Sequence, residues 1–247
     1  MSVRVLAIFI WGLLFIAPGY WSVLVGQTVL IERDVRVDTQ QSRIGPNRKT
    51  HFQLMVGLGN FFGGGHPDLP IRYGNSREFF VAFQYKRKLT SQWSTGLDVS
   101  FRNMVYRIDQ NPGRKRIPDT LIYERERFSL PQFAVQPWFR YNFDRRRGDR
   151  TGIYVDASPG LHVPFSQRRV MVYKTADTDH LLKVVKRRLD YLAPVFMTLS
   201  LRAGYQRFSV YGQWRVTPLF KPEASRKRWE QTADLPPFLL GLQVAFY

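Results

Sequence analysis

From residue 51 onward the chain alternates apolar and polar side chains with a period of two, in blocks of roughly ten residues, the spacing of membrane-crossing strands. Pro237–Tyr247 is the clearest block. Phe238, Leu240, Leu242, Val244 and Phe246 fall on one face, with Leu239, Gly241, Gln243, Ala245 and Tyr247 on the other. Such an apolar strand is an aggregation hazard in water unless its edge is paired, and pairing it with the first strand closes a barrel. Seven further blocks share the pattern: His51–Phe62, Arg77–Lys88, Gln92–Tyr106, Leu130–Phe143, Thr151–Phe165, Tyr191–Tyr205 and Phe208–Leu219. Pro137 lies inside the fourth and has no N–H to donate, which predicts a bulge or a broken ladder there.

The connections predict the topology. Segments two and three, four and five, and six and seven are joined by short turns around Thr90, Asp144–Arg150 and Gln206–Arg207. The connections 63–76, 107–129, 166–190 and 220–236 are long. Short turns on one side and long loops on the other are the rhythm of an outer-membrane barrel, with the short side periplasmic. The predicted fold is therefore all-β: a transmembrane, antiparallel, up-and-down β-barrel of eight strands in residues 51–247, both termini periplasmic. Ten strands are the alternative, because Arg169–Thr175 and Leu181–Leu189 could form an extra hairpin. Leu181–Leu189 reads equally as a short basic helix started by Asp179. The favoured reading is a loop excursion above the bilayer.

Period alone does not tell inside from outside, so a soluble barrel with its apolar face inward is the competing fold. The N-terminus favours the membrane. Arg4 is the only charge before Glu32, and Val5–Ile16 is an unbroken apolar run, too short to span a bilayer and shaped like an export signal. Residues 1–26 are read as the signal peptide, cut after Gly26, and residues 27–50 as a periplasmic extension that serves as a plug or partner strand. Aromatics make up 15% of the chain, and Trp and Tyr favour membrane interfaces. Cysteine is absent, which argues against a disulfide scaffold and excludes lipoprotein processing. The formal charge of +18 would suit nucleic acid, but the basic residues sit between apolar strands and no nucleic-acid motif is visible, so lipopolysaccharide phosphates are the better match.

Three stretches carry a family resemblance: Tyr85–Phe101 (YKRKLTSQWSTGLDVSF), Leu130–Phe143 (LPQFAVQPWFRYNF) and Tyr154–Val163 (YVDASPGLHV). Over residues 50–247 the chain resembles the small PorT-like outer-membrane β-barrels of Bacteroidota. The resemblance implies a barrel without a cofactor, and some members of that family accompany the type IX secretion and gliding machinery.

Candidate chemistry is sparse. His162 shares a strand face with Asp156 and Ser158, but Ser158 is four residues away, roughly 13 Å along a strand, beyond the reach of a nucleophile–base pair. His51, His66 and His180 suggest no site, and Asp177, Asp179 and His180 lack a metal-ligand pattern, so neither metal nor cofactor is expected. Asp98, Arg102, Arg140, Asp156, Arg202 and Arg215 lie on the polar face and are expected to network inside the barrel, completed by Gln84, Gln136 and Gln213. Arginine outnumbers aspartate four to two in this set, which raises the idea of an anionic ligand in the lumen. In the long loops, Arg125, Arg127, Arg168, Arg169, Lys183, Lys186, Arg187 and Arg188 are candidate contacts for lipopolysaccharide phosphates or an acidic partner. Arg145, Arg146 and Arg147 form a basic turn suited to a periplasmic component. The expected function is a non-enzymatic scaffold or binding partner in the outer membrane, an accessory of a secretion or gliding machine. The alternatives are an enzyme acting on lipid A and a narrow transporter of small hydrophobic or anionic molecules.

Overall fold

The computed structural model describes residues 45–63, 69–110, 123–145, 148, 150–174, 181–189, 191–221 and 234–246. The export signal, most of the 27–50 extension, His66, Asp177, Asp179, His180, Arg146, Arg147 and Tyr247 lie outside the described residues. The strands are β1 (Thr50–Phe62), β2 (Arg77–Lys88), β3 (Trp93–Ile108), β4 (Arg125–Asn142), β5 (Ile153–Pro164), β6 (Arg168–Lys174), β7 (Leu181–Arg187), β8 (Phe196–Tyr205), β9 (Phe208–Arg215) and β10 (Phe238–Phe246). Eight of them close a ring in the order β1-β2-β3-β4-β5-β8-β9-β10, every neighbour antiparallel. The seam joins first to last, from Leu54 opposite Phe246 to Phe62 opposite Phe238. Both ends of the ring meet at the short-turn end, where Thr50 lies opposite Arg87.

The hairpin β6–β7 forms, so the described strands number ten, but it stands outside the ring. The predicted 107–129 loop is partly ladder: β3 and β4 run past the barrel and stay paired as far as Ile108 opposite Glu126. β5 ends at Pro164, and β6 takes over the edge of β4 it leaves, pairing Arg168–Val172 with Arg125–Ser129. β7 then pairs with β6. The helix alternative for Leu181–Leu189 is thereby corrected: the β-branched Val184 and Val185 sit opposite Met171 and Val170 in a ladder that a lone basic helix could not offer them.

The alternation resolves inside from outside. Phe52, Phe83, Leu201 and Leu242 point outward and are 64% to 73% exposed. Asp98, Arg102, Arg140, Asp156 and Gln213 point inward and are buried. A soluble barrel has the reverse arrangement; an apolar wall around a charged interior is the arrangement a bilayer demands. Aromatic rings ring both edges of the apolar wall. Trp93, Tyr141 and Phe143 pack edge-on near the short turns, and Phe101, Phe133 and Phe165 cluster toward the long loops. Trp93 and Phe101 are eight residues apart on β3, roughly 26 Å along the strand. With the strands tilted by about 40°, that is about 20 Å of height, near that of a membrane belt.

The register across β4 and β5 does not slip. Val135 faces Leu161 and Phe139 faces Ala157, but the rungs between them are missing. Pro137 is there set opposite Pro159. The broken-ladder form of the sequence expectation holds, without a bulge. Elsewhere the wall is thinned to admit bulky lumen residues: a Cβ on Gly96 would strike the Trp138 indole and the Tyr85 carbonyl. The Gly96→Val chain is therefore expected to lose folding stability by about 2 kcal/mol or more, seen as a lower urea midpoint for the heat-modifiable gel band. Gly74→Val, at a position open to solvent, should leave that midpoint in place.

Candidate functional site

Alternation sends β2, β3, β4, β5, β8 and β9 side chains of one phase into the ring, and the polar ones meet there. Arg140 grips Asp156 with two parallel bonds, Nε to Oδ1 at 2.7 Å and Nη2 to Oδ2 at 2.8 Å. Its guanidinium also lies 3.7 Å from the Tyr154 ring centre. Arg202 bridges Asp98 at 2.8 Å and Asp156 at 3.4 Å, while Gln84 donates to the other oxygen of Asp98 at 2.7 Å. Arg102 donates to Glu78 at 3.0 Å, Gln213 at 2.9 Å, Gln136 at 3.1 Å and Ser100 at 3.0 Å. Tyr211 donates to the second Glu78 oxygen at 3.1 Å. Arg215 reaches Asp234 at 3.0 Å and the Leu235 carbonyl at 2.5 Å. Burial pushes the Asp234 carboxyl up, and Arg215 pulls it back.

Two of these acids escaped the sequence reading, and they change its arithmetic. Glu78 and Asp234 join Asp98 and Asp156, so the four lumen arginines meet four carboxylates. The surplus of arginine that motivated an anionic lumen ligand is cancelled within the chain. Glu78 could have been found, since it shares the phase of Phe80 and Gln84 on β2. Asp234 could not, because it returns from a long loop.

Described residues lie at both mouths of the ring. At the short-turn end buried Pro46 lies beneath the lumen and accepts a bond from Lys86 at 2.7 Å. At the long-loop end Phe61, Tyr106, Phe128, Leu130, Phe196 and Leu239 belong to one buried apolar cluster. His162 is buried, shares a 2.9 Å hydrogen bond with Thr198 and stacks on Phe196 at 4.8 Å. Ser158 sits opposite Ser200, not beside that imidazole.

The long-loop basic residues divide by strand phase. Arg125, Arg127, Arg168, Lys183 and Arg187 are exposed on the outward face of the protruding sheet β3-β4-β6-β7. Lys186 is exposed in the opposite phase, and Arg188 lies just past β7. Arg169 is corrected: it points inward, is buried, and donates to Glu126 at 2.7 Å beneath Tyr123 and Phe128, so it is not a surface contact. Arg145 is exposed on the turn at the short-turn end, where Asp144 accepts a 3.0 Å bond from the Ile153 N–H.

The bidentate pair should dominate the lumen energetics. Arg140→Met leaves Asp156 with only the longer Arg202 contact, and is expected to cost about 3–5 kcal/mol of unfolding free energy. Adding Asp156→Leu should recover much of that loss. A urea-titrated double-mutant cycle measures both, and a strictly additive cycle would remove the pairing account.

No protein-family model matches the chain, and no curated protein does. Among solved structures it is similar to Ail, the attachment invasion locus protein of Yersinia pestis. That match has 10% identity and a TM-score of 0.35, and covers 80% of this chain and 97% of the other. The same protein in complex with the heparin analogue sucrose octasulfate matches at 9% identity and a TM-score of 0.36, with the same coverage.

Proposed function

We propose that this chain is a non-enzymatic outer-membrane barrel that anchors a protruding sheet for binding other envelope components. The observation that carries the reading is the combination of an apolar outer wall with an interior lined by buried ion pairs and buried side chains. An eight-stranded ring is just wide enough for side chains to fill. Here they do so with a network in which four arginines pair with four carboxylates, capped by Pro46 on one side and an apolar cluster on the other. A lumen so occupied supports an anchor rather than a conduit. The partners of His162 are Thr198 and Phe196, an arrangement that suits packing better than proton transfer to a substrate.

The binding element is the β6–β7 hairpin. β7 ends the sheet order, so its outer edge pairs with no other described strand. An open edge accepts an added strand. Lys183, Lys186 and Arg187 on that strand disfavour pairing with a second copy and favour an acidic extended segment. In this reading residues 1–26 direct export, the short turns and both chain ends face the periplasm, and Arg145–Arg147 offer a second, periplasmic contact. The PorT-like resemblance suggests an accessory of a type IX-like secretion or gliding machine as the setting.

Planar-bilayer recording of the reconstituted full chain should give no stepwise current, and lipid A from a deletion strain should keep its acyl pattern. Either channel events or a changed pattern would overturn the reading. Replacing residues 170–185 with an Asn-Gly turn keeps the Arg169–Glu126 pair and the ring. That chain should still reach the membrane but should lose the envelope proteins that co-purify with the intact one.

A further inference from the structure

The outward face of the protruding sheet continues the lipid-facing face of the barrel without a break in phase. On β3 the same phase runs from Phe101 through Val105 to Arg107, and on β4 from Phe133 up to Ser129, Arg127 and Arg125. The strand registers align successive rows above the aromatic cluster. Ser129, Arg168 and Arg187 form the first row. Arg107, Arg127, Val170 and Val185 form the next. Arg125, Val172 and Lys183 form the third. From Phe133 to Ser129 is four residues, so the first row stands about 13 Å beyond the aromatic edge along the strand, at head-group depth.

Two features of these rows cost stability in the isolated chain. Arg107 faces Arg127 directly, and Arg168 faces Arg187 directly. Like charges set opposite each other across strands repel. No acidic residue occupies this face within the strand bounds. Arg107, Arg125, Arg127, Arg168, Lys183 and Arg187 are exposed, and none has an ion pair among the described residues.

A cleft of about 450 Å³ opens at the foot of the hairpin, lined in part by Phe165, Arg187, Arg188, Leu192, Pro194 and Lys221. It joins apolar walls to three basic residues, and the exposed Phe165 ring belongs to the aromatic cluster of the wall. Arg188 at its lip holds a left-handed backbone, φ 54°, in which arginine is uncommon.

We infer that this face and its cleft form a site for the phosphate groups of an anionic glycolipid in the outer leaflet, of the lipopolysaccharide class. The inference rests on the membrane reading above, because only a bilayer around the apolar wall brings lipid head groups to these rows. Guanidinium groups bind phosphate oxygens in pairs, and phosphates placed between facing arginines turn their repulsion into attraction. The partly apolar cleft suits the junction of a phosphorylated sugar and its acyl chains. A soluble polyanion would not need the site to be flush with the lipid wall, and this continuity decides for a lipid.

The test uses the full chain in phosphatidylcholine nanodiscs, titrated with phosphorylated or enzymatically dephosphorylated lipopolysaccharide. The intact chain should bind the phosphorylated form at least about ten-fold tighter. Arg127→Gln with Arg168→Gln and Arg187→Gln should erase that preference, and Arg188→Gly should weaken it. Those side chains are exposed, so the heat-modifiable band should persist, and without lipopolysaccharide the triple variant should resist urea better than the intact chain. Equal binding of the two lipid forms, or a preference that survives the triple change, overturns the site. So does displacement by millimolar inorganic phosphate, which would make the ligand a soluble phosphate. Failure to enter nanodiscs at all would instead strike the membrane reading beneath it.

Discussion

A wall that faces hydrocarbon has no water to satisfy its N–H and C=O groups, so each must find a partner in the next strand. That requirement makes the seam between β1 and β10 indispensable. Opened there, the sheet would expose two long edges to acyl chains. Closure in turn fixes the direction of every side chain. With one phase committed to lipid, the charges the strands carry at the level of the belt are pressed into a narrow interior, where an unpaired ion is costly. The equality of four arginines and four carboxylates follows from this geometry, and so do the glutamines that saturate Arg102.

The same backbone obeys other rules where it leaves the wall. β3 and β4 carry one unbroken alternation from the belt into the protruding sheet, but above the belt the outward phase changes from phenylalanine and valine to arginine and lysine. Pro164 is where the two regimes meet: β5 stops, three residues intervene, and β6 resumes pairing with β4. The inward phase of the excursion remains well packed, with Arg169 under Tyr123 and Phe128 and bonded to Glu126. The hairpin is thus braced against β4 through its inner face while its outer face stays available.

Much of the ring was legible because period-two alternation is a local signal that survives any arrangement of loops. The outward and inward sets of β2, β5 and β10 were readable residue by residue, and so was the pairing of Asp98 and Asp156 with some of the arginines. Three things were not. The strand character of 181–187 was hidden because Leu-Leu-Lys-Val-Val-Lys-Arg fits a helical face as well as a ladder, and only the edge of β4 decides between them. Arg169 read as one more loop cation because its buried acid, Glu126, lies forty-three residues away. Asp234 reaches Arg215 from a loop, where no periodicity reports on direction. What the sequence could not carry, in each case, was a contact between segments far apart in the chain.

The confrontation of Pro137 with Pro159 gives this cylinder a preferred line of weakness. Three rungs are missing between two strands that are otherwise firmly laced, and neither proline has a hydrogen to offer across the gap. Beneath it the side-chain nitrogen of Gln136 is buried without a partner. Strain that widens the ring would concentrate on this slit, because the missing rungs leave fewer backbone bonds to resist it.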